Sequence, residues 1–260
     1  MTGGDYGAAF WKSCCGKNIC VGCIQSNTTR LNPPCPFCRT PAPFSDKESV
    51  DRMEKRMELN DPEAFHGMGT AVHGGLFGLK QDYTKAAEML LKAVELGSVR
   101  AKNSLGDIYA HAEGVKKDLK KARYYFEHAA MGGSEEARYN LARLESGVGN
   151  VKRAVKHLML GAEAGSDWCV DKIKDYFLAG ICTKEEYAGA IRAHGACRDE
   201  MRSDSRDAAA KVSDELSRNN IKSREDLKRL GAWPASPALG AWPAPPTSQM
   251  KKRKHKKRAK

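Results

Sequence analysis

The sequence predicts an all-α fold: a right-handed α-solenoid of helix-pair repeats between a small cysteine-rich segment and a disordered basic tail. Two observations predict this fold class. A pattern of Ala, Gly and Asp recurs at fixed offsets through residues 61–200. Each copy also has the start and stop signals of two antiparallel helices. Because a single helix pair cannot bury its apolar stripe, the copies are expected to stack on one another.

The repeat is visible when residues 82–101 are compared with residues 118–137, at an offset of 36 that superimposes Gly97 on Gly133. A third copy follows at an offset of 32, which superimposes Gly133 on Gly165. The four missing residues fall between the two helices of that copy, where a shorter turn can absorb them. The predicted units are residues 62–97, 98–133 and 134–165, with a partial fourth unit at 166–200.

Each unit carries signals for the ends of its helices. The first helices are predicted to begin at residues typical of helix N-termini, which are Pro62-Glu63, Ser98 and Ser134. The second helices are predicted to open at Asp82 and Asp118. They are predicted to stop at glycines, which adopt the left-handed conformation that closes a helix, namely Gly97, Gly133 and Gly165. Tight helix contacts are expected at Met68-Gly69, Leu105-Gly106 and Leu141-Ala142.

Further helices are predicted on both sides of these units. A short charged linker helix is expected at residues 45–60, where Ser45 can cap it and Glu48 stands three residues later, as in a capping box. Residues 167–180 have the pattern of another first helix. A longer helix that begins at about Thr183, with a glutamate three residues on, is expected to cap the array.

This pattern resembles the Sel-one-like repeat family, which is related to the tetratricopeptide repeats. The resemblance rests on three segments of the second unit: A-x3-LG-D-I-Y (Ala101 to Tyr109), GV-x2-D-x2-KA (Gly114 to Ala122) and AA-x2-G (Ala129 to Gly133). Repeats of that family form adaptor surfaces for other proteins. The resemblance therefore implies that residues 61–200 bind a protein partner.

Six of the nine cysteines lie between Cys14 and Cys38. In a reducing compartment, clustered cysteines bind metal more often than they form disulfides. Two C-x2-C pairs, Cys20/Cys23 and Cys35/Cys38, have the spacing at which thiolates hold tetrahedral Zn²⁺. The predicted zinc ligands are Cys14, Cys15, Cys20, Cys23, Cys35 and Cys38. No special chemistry is expected of the other three cysteines, Cys169, Cys182 and Cys197.

Residues 14–40 resemble part of a RING finger. The run from Cys15 to Cys20 is similar to the middle of that motif, and Cys35-Pro36-Phe37-Cys38-Arg39 is similar to its end. The cross-braced arrangement of the family implies one zinc for Cys20 and Cys23 and another for Cys15, Cys35 and Cys38. Lys17 occupies the usual histidine position and has no free lone pair when protonated, so Cys14 is the available fourth ligand.

The opening C-x2-C pair of the RING family has no counterpart in residues 1–13, which contain neither Cys nor His. Cys20 and Cys23 therefore lack two partner ligands, for which His66 and His73 are remote candidates. RING fingers act as ubiquitin ligases by positioning a charged conjugating enzyme, without a covalent intermediate. The residues that match the enzyme-binding surface are Ile24, Pro36 and Arg39.

Two functional hypotheses follow, and neither includes a catalytic side chain. In the first, a RING-type zinc protein recruits a substrate through its repeats for ubiquitin transfer. In the second, the protein is a non-enzymatic adaptor with a vestigial or purely structural zinc knuckle.

The net charge of +12 is concentrated in the last ten residues, which hold eight Lys or Arg and no acid. Residues 216–260 lack helical periodicity and are rich in Pro, so we expect disorder there. The candidate nuclear-import residues are Lys251, Lys252, Arg253, Lys254, Lys256, Lys257 and Arg258. Nonspecific polyanion binding and a solvated tail are the alternatives, and no specific nucleic-acid recognition is predicted. No apolar run approaches a membrane span, and no signal peptide is predicted, so an intracellular protein is expected.

Overall fold

The computed structural model of the protein describes residues 9–20, 34–202 and 204. These residues contain an antiparallel β-hairpin of β1 (Ala9–Lys12) and β2 (Lys17–Cys20), followed by nine α-helices. The helices are α1 (Asp46–Glu58), α2 (Pro62–Gly74), α3 (Tyr83–Glu95), α4 (Val99–His111), α5 (Leu119–Met131), α6 (Glu135–Gly147), α7 (Val151–Glu163), α8 (Asp167–Leu178) and α9 (Lys184–Glu200). None of these described helices is both long enough and apolar enough to span a membrane.

The helix ends lie where the start and stop residues predict them. The Ser98 and Ser134 hydroxyls accept hydrogen bonds from backbone N–H groups in the first turns of α4 and α6. The Asp82 and Asp118 carboxylates do the same for α3 and α5. Three glycines with positive φ follow the second helices: Gly97 (98°), Gly133 (89°) and Gly165 (90°). Local sequence signals therefore account for these helix boundaries of the repeats.

The helices at the two ends of the array differ in how they are capped. Thr183 and Glu186 form the reciprocal capping box predicted for α9, with distances of 2.8 and 3.1 Å. At α1, the Ser45 hydroxyl accepts from the Glu48 N–H, but the Glu48 carboxylate accepts from the N–H of Phe44 instead of Ser45. Helix α1 is therefore capped, but not by a complete capping box.

The helices form antiparallel pairs that stack in chain order, as expected for an α-solenoid. The first helices α2, α4, α6 and α8 also contact one another in sequence, so they form a continuous row. Alanines occupy the closest approaches and are completely buried: Ala86, Ala93, Ala101, Ala122, Ala129, Ala137, Ala154 and Ala162. At Gly106, an added Cβ would overlap the ring of Phe126, which explains the glycine at the predicted tight contact.

One backbone hydrogen bond closes the inter-helix loop of each unit. The N–H of Asp82 donates to the Val72 carbonyl at 3.2 Å, that of Asp118 to Tyr109 at 3.0 Å, and that of Asn150 to Glu145 at 2.8 Å. The intervening segments are residues 73–81, 110–117 and 146–149. The third loop is therefore four residues shorter than the second, and the deletion lies where the offset of 32 predicts it.

Helix α1 and the hairpin cover the first unit. Met53 of α1 is buried with Met68 and Val72 of α2, and Trp11 of β1 packs against the same cluster. The apolar surface of α2 that no preceding repeat covers is therefore buried by the N-terminal part of the chain.

Candidate metal centre

Two turns bring four thiols together. The first turn joins β1 to β2 and carries Cys14 and Cys15; it is closed by the Gly16 N–H, which donates to the Lys12 carbonyl at 2.7 Å. Gly16 has a φ of 70°, a conformation that favours glycine. The second turn spans Cys35 to Cys38 and is closed by the Arg39 N–H, which donates to the Cys35 carbonyl at 2.9 Å.

The geometry of the four sulfurs suits a tetrahedral metal ion. The Sγ atoms of Cys14, Cys15, Cys35 and Cys38 all lie within 4.8 Å of one another, and the Cys15–Cys35 distance is 3.7 Å. Zinc–sulfur bonds of about 2.3 Å place tetrahedral sulfurs roughly 3.8 Å apart. None of the cysteines whose side chains the structure describes forms a disulfide. The four thiols therefore form a cluster that could hold a metal ion.

Without a metal ion, the thiols of this cluster resist full ionisation. Burial, followed by contacts with the neighbouring thiols, raises the pKa of Cys14. Burial also raises the pKa of Cys15. In contrast, hydrogen bonding with the Thr40 side chain and backbone lowers the pKa of Cys38 to about 6. Adjacent thiolates repel one another, so full ionisation of the cluster requires a counterion such as a divalent metal.

The other residues considered as ligands do not join this cluster, or lie outside the described residues. Lys17 extends over the Phe37 ring, with its Nζ 5.3 Å from the ring centroid. His66 Nε2 lies 3.1 Å from the Ser104 hydroxyl, and His73 Nε2 lies 2.7 Å from a Glu113 carboxylate oxygen. The backbone of Cys20 belongs to β2, but its side chain is outside the described part, as is all of Cys23.

The predicted conjugating-enzyme surface is described for Pro36 and Arg39, whereas Ile24 lies outside the described residues. Pro36 is half-buried and lines a cavity of about 220 Å³ together with Trp11, Cys35 and Arg52. Arg39 is exposed on the second turn with a φ of 61°. The candidate nuclear-import residues 251–258 lie outside the described part of the chain.

One contact that sequence reasoning missed lies behind the cluster. Gly16 packs so closely on the Arg56 guanidinium that an added Cβ would overlap it. Arg56 donates to the Asp61 carboxylate at 2.6 and 2.9 Å, and Asp61 caps α2 through the Glu63 N–H. A glycine between Cys15 and Lys17 indicates a turn, but no local signal identifies its partners on α1 and at the start of α2.

Residues 62–98, 99–134 and 135–166 match the family model of the Sel1 repeat. The helical repeats of this chain are therefore similar to Sel1 repeats. They correspond to the Sel-one-like pattern of the sequence, and the match covers the helical repeats but not the cysteine-rich segment.

A curated relative, the "ERAD-associated E3 ubiquitin-protein ligase component HRD3B" of Arabidopsis thaliana, is 34% identical over 113 residues. These residues are 43% of this chain and 18% of that protein. A second relative, the "ERAD-associated E3 ubiquitin-protein ligase component HRD3A" of Arabidopsis thaliana, is 35% identical over 69 residues, which are 10% of that protein. The chain thus spans less than a fifth of the length of either curated relative.

Solved structures resemble the array. A Sel1 repeat protein from Oxalobacter formigenes has a TM-score of 0.50 at 24% identity, over 60% of this chain and 64% of that one. The protective antigen c5321 of uropathogenic Escherichia coli, described as displaying an SLR fold, has a TM-score of 0.51 at 22% identity, over 74% and 41%. At these identities the likeness indicates the shared fold alone.

Proposed function

We propose that this protein is a zinc-binding interaction scaffold that acts as a RING-type ubiquitin ligase, with its Sel1 repeats recruiting the substrate. The observation that carries the proposal is the four-thiol cluster. It is formed by the residues that resemble one RING zinc site, and Cys14 stands in for the missing histidine ligand. The similarity to a plant ubiquitin-ligase component covers part of the chain and supports a link to ubiquitin chemistry.

In this proposal the metal has a structural role, because four thiolates leave no open coordination position. Zinc would hold the turn of Cys14 and Cys15 against the turn of Cys35 and Cys38. Arg39 immediately follows the second turn and is exposed, so its guanidinium can contact a conjugating enzyme and ubiquitin together. Such a contact accelerates transfer by orienting the reactants rather than by bond chemistry.

The repeats supply the second half of the proposal. Their first helices form a continuous row, and rows of this kind provide extended binding surfaces in solenoid proteins. Because α1 and the hairpin pack directly on the first unit, a substrate bound to the array would lie at a restricted distance from Arg39. This arrangement suits a ligase that selects its substrate with one part and activates the conjugating enzyme with another.

Metal content tests the zinc site directly. Protein purified with zinc present and then dialysed is expected to contain one tightly bound zinc at the four thiols, measured by elemental mass spectrometry. Cys35→Ser should lose that zinc, whereas the control Cys182→Ser, a buried thiol of the array, should retain it. A second zinc would indicate that Cys20 and Cys23 also find partners. No zinc in the unaltered protein would exclude the zinc proposal.

Ligase activity is tested separately with a panel of conjugating enzymes. Loss of a hydrogen bond made by a charged group costs roughly 1.5–3 kcal/mol, so Arg39→Ala should slow ubiquitin-chain formation by about tenfold or more. Lys92→Ala, which removes an exposed charge from α3, should leave the rate unchanged. If no conjugating enzyme yields chains, the ligase proposal fails.

The alternative is a non-enzymatic adaptor whose zinc knuckle is structural. Its supporting observation is that the structure brings together a single four-thiol site among the described residues. Bound zinc without ubiquitin transfer would favour this adaptor, in which the metal serves to stabilise the N-terminal end of the array.

A further inference from the structure

The loop of the second repeat crosses back onto the first repeat. Glu113 reaches His73 near the end of α2, with 2.7 Å between carboxylate and imidazole. The next residue, Gly114, lies against the backbone of Tyr83 and Thr84 at the start of α3, with no room for a Cβ. An acidic residue followed by a glycine therefore covers the junction between the first and second repeats.

The third repeat lacks this covering segment. Its loop, residues 146–149, is four residues shorter and is held close to its own helices by Glu145. That side chain is buried, accepts from Asn150 Nδ2 at 2.8 Å, and also pairs with Arg123. The backbone bond from Asn150 to the Glu145 carbonyl completes the short loop. The loop therefore ends before it can reach back across the second repeat.

An open cleft lies beside this short loop, and Leu119 at its edge corresponds, at the offset of 36, to Tyr83, the residue against which Gly114 packs in the preceding unit. It has a volume of about 280 Å³ and lies between α4, α6 and the start of α5. Ala110, Phe126 and Leu144 contribute apolar surface. At its edge, Leu119 and Val148 are 41% and 48% exposed, although both are apolar. An extended segment placed there would bury these side chains.

The charged groups of the cleft are mainly basic. Lys117 and Arg143 line it together with His111, and the single carboxylate among the lining residues is Asp107. Asn140 Nδ2 donates to Asp107 at 3.3 Å, and Arg143 Nη1 donates to Asn140 Oδ1 at 3.4 Å. The two permanent cations outnumber this carboxylate, so the cleft favours an anionic group on whatever occupies it.

We propose that this cleft binds an extended segment of a protein partner in which a carboxylate side chain is adjacent to small or apolar residues. The segment takes the place of the loop that the third repeat lacks, and its carboxylate pairs with Arg143 or Lys117 much as Glu113 pairs with His73. The proposal rests on the proposed partner-binding role of the repeats and requires neither zinc nor ligase activity.

The loop of the second repeat supplies the probe. An acetylated, amidated peptide with the sequence of residues 112–115, Ala-Glu-Gly-Val, is titrated into the isotope-labelled full-length protein, and amide chemical shifts are followed by NMR. Residues of α4 and α6 that line the cleft are expected to shift. The matched peptide Ala-Lys-Gly-Val should bind more weakly. Equal binding of the two peptides, or no shift with either, would overturn the proposal.

Substitutions in the cleft sharpen the test. Arg143→Ala should weaken binding of the Glu peptide about two- to fivefold, the range of one partly exposed ion pair. Asp107→Asn should strengthen it because the like charge is removed. The control Arg192→Ala lies on α9 and should have no effect. An unchanged dissociation constant in both cleft variants contradicts the proposal.

A loop-restored protein provides an independent check. Insertion of Glu-Gly-Val-Lys after Gly147 should fill the cleft from within the chain, raise the melting temperature and abolish peptide binding. Retained peptide binding would show that the peptide binds elsewhere. Because the readout is peptide binding, a negative result overturns the cleft proposal and leaves the zinc and ubiquitin tests unaffected.

Discussion

In the repeat array, alanines at the helix contacts are completely buried beside Leu and Phe side chains, whereas the described residues of the cysteine-rich unit bury only Ile19 and Cys35. The array can therefore be stabilised by apolar burial alone. The described residues of the cysteine-rich unit bury few apolar side chains, and they bring four thiols together. We therefore expect the array to fold by packing and, under the zinc proposal, the cysteine-rich unit to depend on a bound cation.

Removal of the proposed zinc ion should separate the two regions most clearly. Structural zinc contributes on the order of 10 kcal/mol to folding of a small site. A strong chelator is therefore expected to expose residues 13–40 to proteolysis, as mapped by mass spectrometry, while the helical circular dichroism of the array persists. The control Cys182→Ser should respond in the same way as the unaltered protein. Equal protease resistance with and without chelator would show that the unit folds without metal.

The array should instead be most sensitive to overpacking. Ala122 is completely buried on α5 with Phe126 and Leu141, so Ala122→Trp has no space and should cost about 3 kcal/mol of unfolding free energy. Tyr124→Trp on the same helix is the control, because Tyr124 is 55% exposed. Urea denaturation followed by circular dichroism measures both changes. Equal midpoints for the two variants would contradict the register in which Ala122 faces the core of the array.

The fold of the array could be predicted because its signals are local and repeated. Ser98, Asp118 and Gly133 each act on the helix that begins or ends beside them, so spacing alone locates the boundaries. The hairpin was not predicted, because its two strands of four residues are too short for a periodic pattern to stand out. The cleft was not predicted either. The sequence shows that the third repeat has a shorter loop, but the shape of the cleft depends on how α4, α5 and α6 pack together.

The candidate site was predicted to a different extent. The RING resemblance implies one zinc for Cys15, Cys35 and Cys38, and ligand chemistry adds Cys14, since a protonated Lys17 cannot coordinate a metal. The contacts that hold the unit to the array could not be predicted. Gly16 and Arg56 are distant in sequence, and Trp11 packs with side chains from several helices, so only the folded chain brings them together.

Acid should weaken the array through His66. Burial lowers the pKa of His66 to about 4. The unfolded chain therefore binds a proton at this histidine more readily than the folded chain does. As a result, the free energy of unfolding decreases as the pH falls from 6.5 towards 4. Between pH 7.5 and 5 the loss is about 2 kcal/mol for such a shift. His66→Gln should remove this part of the pH dependence, as measured by urea midpoints at both pH values. His111→Gln, at an exposed histidine, is the control, and an identical pH dependence in all three proteins would exclude His66 as the cause.

The contact between Gly16 and Arg56 joins the two regions, and its disruption should have the smallest effect on stability. Gly16→Ala combines the cost of a left-handed alanine, about 1 kcal/mol, with displacement of Arg56 from Asp61, the residue that caps α2. Gly78→Ala is a matched control, because Gly78 has a φ of 71° and an added Cβ would meet nothing within 4 Å.

Thermal unfolding should therefore show Gly16→Ala to be less stable than Gly78→Ala by roughly 1 kcal/mol, the scale of a partly buried ion pair and cap. Gly16→Ala should also weaken zinc binding, since the same turn carries Cys14 and Cys15. If the two variants lose equal stability, the ion pair does not couple the regions. Among the described residues, the packing of Trp11 and the hydrogen bond from Arg52 to the Pro41 carbonyl would then remain to hold the cysteine-rich unit to the array.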